Sequence, residues 1–169
     1  MNPFAHVPIF DRLAFYLKPK ELYNLTKSSK GTYQIGMLPN YKAKLYNYKV
    51  NEICKAGDLS VLKWMHLNHS NLFTKYAMDW AASNGHLDVV KWLHENRQEG
   101  CSKYAMDHAA LCGHLDVVKW LHENRSEGCT QWAMDMAAYN GNINVVKWLH
   151  KNRKEGWHGA WKLIYPQIT

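Results

Sequence analysis

The chain has 169 residues, enough for one compact domain or one short repeat array, and its apolar share of 47% is ordinary for a globular protein. The formal net charge is +7, but residues 1–50 hold eight basic and two acidic residues while the remainder is nearly balanced. This uneven charge gives little support to nucleic-acid binding by the whole chain. No stretch approaches the roughly 18 apolar residues of a membrane-spanning helix, and Asp11 and Arg12 interrupt the first apolar run too early for a signal peptide.

Residues 1–46 have the pattern of short amphipathic helices. Leu13, Leu17, Leu22 and Leu25 recur at helical spacings, and Pro19 separates the first pair from the second. We therefore expect a helical N-terminal region of two or three short helices.

The run YLKPKELYNLTKSSK at 16–30 resembles the C-terminal half of an F-box. The resemblance implies that this region docks on a Skp-family adaptor of a cullin–RING ubiquitin ligase, with contacts from Leu13, Leu17, Pro19, Leu22 and Leu25. The alternative is that residues 1–46 form only a helical cap over the apolar end of the following repeats, which every solenoid requires. The two interpretations are compatible.

The segment YKAKLYNYK at 41–49 interleaves basic and aromatic residues, a pattern that can track a phosphate backbone and stack bases. Only nine residues carry it, and Leu45 and Val50 continue into the next predicted helix. We therefore favour a helix here over a nucleic-acid site.

Residues 47–156 contain copies of one 28-residue unit. GHLDVVKWLHENR stands at 85–97 and again at 113–125, GNINVVKWLHKNR follows at 141–153, and a degenerate copy begins at Gly57. A repeat of this length predicts a solenoid.

Each unit predicts two helices. The first runs from about Tyr76 to Asn84 and ends at Gly85, because glycine adopts a left-handed backbone at little cost. The second begins near Leu87 and has Arg97 in its last turn. Its apolar residues are too many for one narrow stripe, so neighbouring units must cover it. The fold class is therefore all-α, with about four stacked helix pairs.

The pattern xxAAxxGHLxVVKxLxExx resembles the ankyrin repeat over about residues 47–156. The period of 28 is shorter than the family's 33 or so, and the missing residues fall where the family builds a β-hairpin finger, so we expect that finger to be reduced or absent. The short, Trp-bearing unit resembles ankyrin arrays of large DNA viruses and free-living protists. The resemblance implies that the array binds a partner protein.

Positions that vary between the copies indicate where a partner would bind. In ankyrin repeats, the two residues after Ala-Ala and the one before the first helix face the concave groove. The resemblance implies contacts from Lys75, Ser83, Asn84, Lys103, Leu111, Cys112, Gln131, Tyr139 and Asn140. Leu111 and Tyr139 are the best candidates for anchors; the alternative is that these positions are merely tolerated surface. We expect the equally variable Trp80, His108 and Met136 to line the core.

Two ladders of repeated residues could suggest a metal site. His66, His94, His122 and His150 recur every 28 residues, as do Cys101 and Cys129. Zinc ligands must converge on one ion, whereas rungs of a helical stack lie about 8–10 Å apart. We therefore predict no metal and no cofactor, a solvated histidine face, and four free thiols in a reducing compartment.

Nothing in the sequence indicates catalysis. The chain has no nucleophile elbow, P-loop or dinucleotide-binding glycine motif. Asp79, Asp107 and Asp135 recur because the unit recurs, whereas an active site needs unlike groups at one place. We expect these aspartates to cap or brace the short helices and the protein not to be an enzyme.

Residues 157–169, WHGAWKLIYPQIT, begin another unit but lack its Ala-Ala-x-x-Gly core. We expect Trp157, Trp161 and Ile164 to cap the last repeat, unless a partner covers it.

Together these observations predict a monomeric, cytoplasmic protein (in host cytoplasm if viral) that binds a partner protein through the groove. It would act as an F-box substrate receptor or, alternatively, as a scaffold or decoy without ligase contact.

Overall fold

The computed structural model describes residues 50–155, and throughout this range the chain forms helices and turns without a strand. A helix whose described part is 50–56 (α1) is followed by α2 (Leu59–Asn68), a 3-10 turn (Ser70–Leu72), α3 (Tyr76–Ser83), α4 (Leu87–Asn96), α5 (Lys103–Leu111), α6 (Leu115–Asn124), α7 (Gln131–Tyr139) and α8 (Ile143–Asn152). The predicted all-α solenoid of helix pairs is confirmed, and within 50–155 no β-hairpin finger occurs. None of the helices in this range is both long enough and apolar enough to cross a lipid bilayer.

The first helix of each unit ends in a left-handed glycine, as predicted. Gly85 and Gly113 have φ values of 75° and 81°. The Gly85 amide bonds to the Ala82 carbonyl at 3.1 Å, and the His86 amide bonds to the Ala81 carbonyl at 3.0 Å. This pair of bonds closes the helix end and reverses the chain into α4.

Small side chains let successive first helices pack closely. Ala81 and Ala82 are fully buried, as are Ala109 and Ala110. Together with the valine pairs of the second helices, such as Val89 and Val90, they form one continuous core along the array. No unit could bury this surface alone, which is why the units must stack.

The stack is tighter on one side than on the other. The first helices α3, α5 and α7 pack along one another, whereas the second helices α4, α6 and α8 touch at few points. The half-buried Trp92 and Trp120 pack edge-on against His66 and His94 of the preceding second helices. The first helices therefore lie on the inner side of the curve.

Buried aspartates connect successive units on the inner side. The Asp107 carboxylate accepts hydrogen bonds from the Thr130 amide at 2.7 Å and from the Thr130 hydroxyl at 2.8 Å. The Thr130 hydroxyl also accepts from the Trp132 amide at 3.2 Å, so the same side chain caps α7. Asp79 and Ser102 repeat the arrangement one unit earlier. The predicted bracing role is confirmed for these two aspartates.

A second set of links corrects the prediction of a solvated histidine face for three of the four repeated histidines, whereas His150 is exposed as predicted. Arg125 ends α6 in an extended conformation, donates to His94 Nδ1 of the preceding unit at 3.2 Å and pairs with Glu127. The His94 ring also packs edge-on against Trp120, with centroids 5.2 Å apart. Arg97 and Arg153 make the same contacts with His66 and His122. These histidines are half-buried inter-unit contacts, and Arg97 lies just past α4 rather than in its last turn.

Several predictions concern residues outside 50–155. These are the helical region and F-box contacts within residues 1–46, the basic segment 41–49, and the cap formed by residues 157–169. They stay predictions.

Candidate functional site

The solvent-facing side of the three first helices forms a single surface, which we call the inner face. On α3 it comprises Tyr76, Trp80 and Ser83, at positions i, i+4 and i+7 of the helix. This stripe lies opposite the buried Ala77, Met78, Ala81 and Ala82. The equivalent side chains are Tyr104, His108 and Leu111 on α5, and Trp132, Met136 and Tyr139 on α7.

Aromatic rings run across this surface from unit to unit. Tyr76 is 50% exposed, Tyr104 61% and Trp132 38%. The rings of Tyr104 and His108 are 5.7 Å apart, and those of His108 and Trp132 are 5.3 Å apart. We call Tyr76, Trp80, Tyr104, His108 and Trp132 the aromatic ridge. Large rings left in water across three consecutive units are typical of an interaction surface.

The ridge includes positions that the sequence prediction assigned to the core. Trp80 is 41% exposed, and His108 and Met136 are half-buried. The assignment of Trp80 to the core was therefore wrong, because residue 80 follows residue 76 by one helical turn on the side away from the alanines. Sequence reasoning missed Tyr76, Tyr104 and Trp132 altogether, although their spacing from the alanine pairs could have revealed them.

An open cleft of about 140 Å³ lies between the first two helices of the ridge. Tyr76, Trp80, Ser83, Tyr104 and His108 form its walls, and Asp79 also contributes to its lining. Asp79 is 8% exposed and bound to Ser102. Burial raises the pKa of the Asp79 carboxyl above its ordinary range despite the two hydrogen bonds from Ser102. The cleft is large enough for one side chain of a partner.

The structure places the predicted groove residues at the two ends of the first helices. Lys75, Lys103 and Gln131 are exposed at the N-terminal ends. The C-terminal ends carry the exposed Cys112, Tyr139 and Asn140 and the half-buried Ser83, Asn84 and Leu111. The aromatic ridge lies between the two groups, so the predicted positions flank it.

Two of these residues use their side-chain amides in hydrogen bonds within the protein. The side-chain amide of Asn84 donates to the Trp80 carbonyl at 3.0 Å, and the side-chain amide of Asn140 donates to the Leu111 carbonyl at 2.9 Å. Tyr139 is 84% exposed, more than any ring of the aromatic ridge. Among the predicted positions, Tyr139 therefore offers the most area to a partner.

The charges exposed on the inner side are basic. The Lys55 ammonium lies 5.5 Å from the centre of the Trp80 ring, and the Lys75 ammonium lies 5.7 Å from that of Tyr76. Lys103 is exposed at the start of α5. The acids Asp79 and Asp107 are buried, and Asp135 is half-buried. A partner would therefore meet aromatic rings flanked by ammonium groups.

Cysteine and metal chemistry find no support in this part of the chain. Burial raises the pKa of the Cys101 thiol to about 12 and that of Cys129 to about 11, so both are protonated at neutral pH. The four cysteines form no disulfide, and only Cys112 is exposed. Within 50–155, no three His, Cys, Asp or Glu side chains converge as metal ligands would.

Stacked helix pairs with a varied inner surface define a helical-repeat binding scaffold. The family model described as Ankyrin repeats (many copies) matches residues 52–94, 78–122 and 113–150. These matches cover more than half of the chain, which therefore belongs to the ankyrin-repeat family. Ankyrin repeats are protein–protein interaction modules and typically non-enzymatic scaffolds. Comparison with curated proteins and with solved structures gave no match.

Proposed function

We propose that the chain binds a partner protein through the inner face, with the aromatic ridge and Tyr139 as anchors. The observation that carries the proposal is the row of exposed rings on three consecutive first helices. A tyrosine or tryptophan that becomes buried in a complex removes roughly 150–250 Å² from water. Tyr and Trp are also enriched among the residues that dominate binding energy.

Selection from a library of random displayed peptides against the full chain tests this proposal without assuming a partner. We expect Tyr104→Ala and Tyr139→Ala each to weaken the selected binders about 30-fold, which corresponds to about 2 kcal/mol. Leu111→Ala should also weaken them, since Leu111 lies on the same surface.

The matched control is Glu95→Ala together with Glu123→Ala, two exposed positions on α4 and α6. These changes should leave binding unaltered, because the second helices lie on the outer side of the curve. Binders that tolerate the inner-face variants but not the control variants would contradict the proposal.

A second candidate function joins this surface to a ubiquitin ligase. The run at 16–30 that resembles an F-box supports it, since an adaptor-binding segment beside a binding array has the organisation of a substrate receptor. In this view residues 1–46 dock on a Skp-family adaptor, residues 47–156 hold the substrate and residues 157–169 cap the array. In the alternative, residues 1–46 are only a cap and the chain is a scaffold or decoy.

Purified adaptor separates the two alternatives. We expect Leu17→Ala and Leu22→Ala in the full chain to abolish capture of the adaptor. Leu67→Ala is the matched control, because Leu67 is a leucine of α2 that is 81% exposed. If the unaltered chain fails to bind the adaptor, the ligase role is wrong and the scaffold role stands.

We also place the protein in the cytoplasm as a monomer, in host cytoplasm if the short-repeat type reflects a viral source. The exposed thiol of Cys112 supports a reducing compartment. Fractionation of a cell that expresses the chain, followed by thiol labelling, tests the location.

A further inference from the structure

We propose that the segment bound on the inner face is acidic and extended in the polyproline II conformation, with an apolar side chain at about every third residue. This rests on the proposed function and specifies the chemistry of the partner. Two observations carry it: the sign of the exposed charge around the ridge, and the repeat of the ridge from one unit to the next.

The exposed charge differs between the two sides of the array, since it is basic on the inner side and mixed on the second helices. Lys55, Lys75 and Lys103 are exposed on the inner side. The second helices α4 and α6 carry both signs, namely the exposed acids Asp88, Asp116, Glu95 and Glu123 and the exposed Lys91 and Lys119. Residues 50–155 contain 12 basic and 12 acidic residues, so this part of the chain has no net charge. The basic character of the inner face is therefore local, and it complements carboxylates of a partner.

The buried aspartates below the ridge do not abolish the attraction of these lysine charges for an acidic partner. Asp107 is 2% exposed, and both of its carboxylate oxygens accept hydrogen bonds from Thr130. Asp79 is held by Ser102 in the same way. A bound segment would reach the ammonium groups first, since those extend from the surface.

The distance between successive first helices determines the spacing of the apolar side chains in a bound segment. Successive first helices in contact have axes about 8–10 Å apart. A polyproline II chain advances about 3.1 Å per residue with three residues per turn, so side chains three residues apart lie on the same side and match the distance from one first helix to the next. A segment of about nine residues in this conformation can therefore place three apolar side chains on Tyr76, Tyr104 and Trp132 with carboxylates between them.

The same surface suits single-stranded nucleic acid less well. The rings are inclined to one another, by 64° for Tyr104 and His108 and by 44° for His108 and Trp132. Such a surface gives bases no row of parallel platforms. Arg97, Arg125 and Arg153 are paired with glutamates of their own units, so these guanidinium groups are already engaged and do not extend the lysines into a longer basic track.

Fluorescence anisotropy with labelled peptides tests the proposal on the full chain. The acidic probe carries Phe at every third position with Asp or Glu between. The basic probe replaces the acids with Lys, and a rearranged probe keeps the acidic composition but groups the Phe residues together. We expect the acidic probe to bind at least about ten-fold tighter than the other two, and more weakly as salt rises. Tighter binding of the basic probe or of an oligo-uridylate would overturn the proposal.

A pair of matched variants locates the binding. Lys75→Glu with Lys103→Glu reverses two charges on the inner side, and Lys91→Glu with Lys119→Glu reverses two exposed charges of the same spacing on the second helices. We expect the first pair to weaken the acidic probe about ten-fold or more and the second pair to change it less than two-fold. Equal effects would place the probe elsewhere, for example on the basic residues 1–50, and the proposal would fail.

This failure is distinguishable from failure of the proposed function. If peptides from the unbiased selection are lost on Tyr104→Ala but are not acidic, the inner face binds a partner and the acidic assignment is wrong. If they are insensitive to both Tyr104→Ala and Tyr139→Ala, the inner face is not the binding surface, and both proposals fail.

Discussion

Asp107 shows how one polar side chain can determine the register between two units. Its carboxylate is almost completely buried, and it satisfies the backbone amide and the hydroxyl of Thr130 in the next unit. Burial raises the pKa of the Asp107 carboxyl, and the hydrogen bonds from Thr130 oppose that shift without reversing it. Burial of this carboxylate therefore costs free energy. The two hydrogen bonds offset that cost, because the amide and hydroxyl of Thr130 would lack an acceptor without it.

Asp107→Ala should lower the free energy of unfolding by about 1–3 kcal/mol, because the Thr130 amide loses its acceptor. Urea denaturation followed by circular dichroism measures the change. Asp116→Ala is the matched control, since Asp116 is an exposed aspartate in the first turn of α6 and should cost at most about 1 kcal/mol. Equal losses for the two variants would contradict the bracing role.

Among the elements, the glycine that ends each first helix has two requirements. One is local, since Gly85 and Gly141 have φ values of 75° and 73°. The other comes from the next unit: a Cβ on Gly85 would stand 2.6 Å from Nδ1 of His114. At Gly141 no described atom lies within 4 Å of such a Cβ. The two glycines share the backbone strain and differ in the neighbouring side chain.

Gly141→Ala should cost about 1–2 kcal/mol, the price of a left-handed alanine. Gly85→Ala should cost more, because the His114 ring must also move. Thermal unfolding of both variants measures the difference. If Gly85→Ala is no worse than Gly141→Ala, the packing of His114 on Gly85 does not contribute to stability.

At the scale of the whole molecule, the Arg–Glu–His links recur along the array, so the stability of each unit should depend on pH in the same way. Desolvation alone would raise the pKa of the Glu127 carboxyl, but hydrogen bonds from Arg125 and from backbone amides together lower it. The pKa values of Glu99 and Glu155 are lowered against the same desolvation by Arg97 and Arg153. These three carboxylates contribute stability above the ordinary glutamate pKa of about 4.3 and lose it as the pH falls through their lowered values.

The triple variant Glu99→Gln, Glu127→Gln and Glu155→Gln should be less stable than the unaltered chain near neutral pH. The difference should shrink as the pH is lowered below about 4.3. The three glutamates of the unaltered chain then become protonated and uncharged, like the glutamines of the variant, and their contribution to stability is lost. Urea midpoints measured at several pH values report this difference. A gap that persists at low pH would show that the glutamates act through packing rather than through charge.

The 28-residue period, the helix pairs and the glycine stops could all be predicted from the sequence, because each depends on a few neighbouring residues that recur. The absence of a finger within 50–155 followed from the length of the unit in the same way. The partners of His94 and Asp107 could not be predicted, since each lies in an adjacent unit and repeated letters do not show which residues meet across a stack. Trp80 was assigned to the core together with His108 and Met136. The spacing of residues 76 and 80 from the alanine pairs is present in the sequence, but which side of the helix the stack covers was decided by the packing of those alanines, which leaves the Trp80 ring 41% exposed.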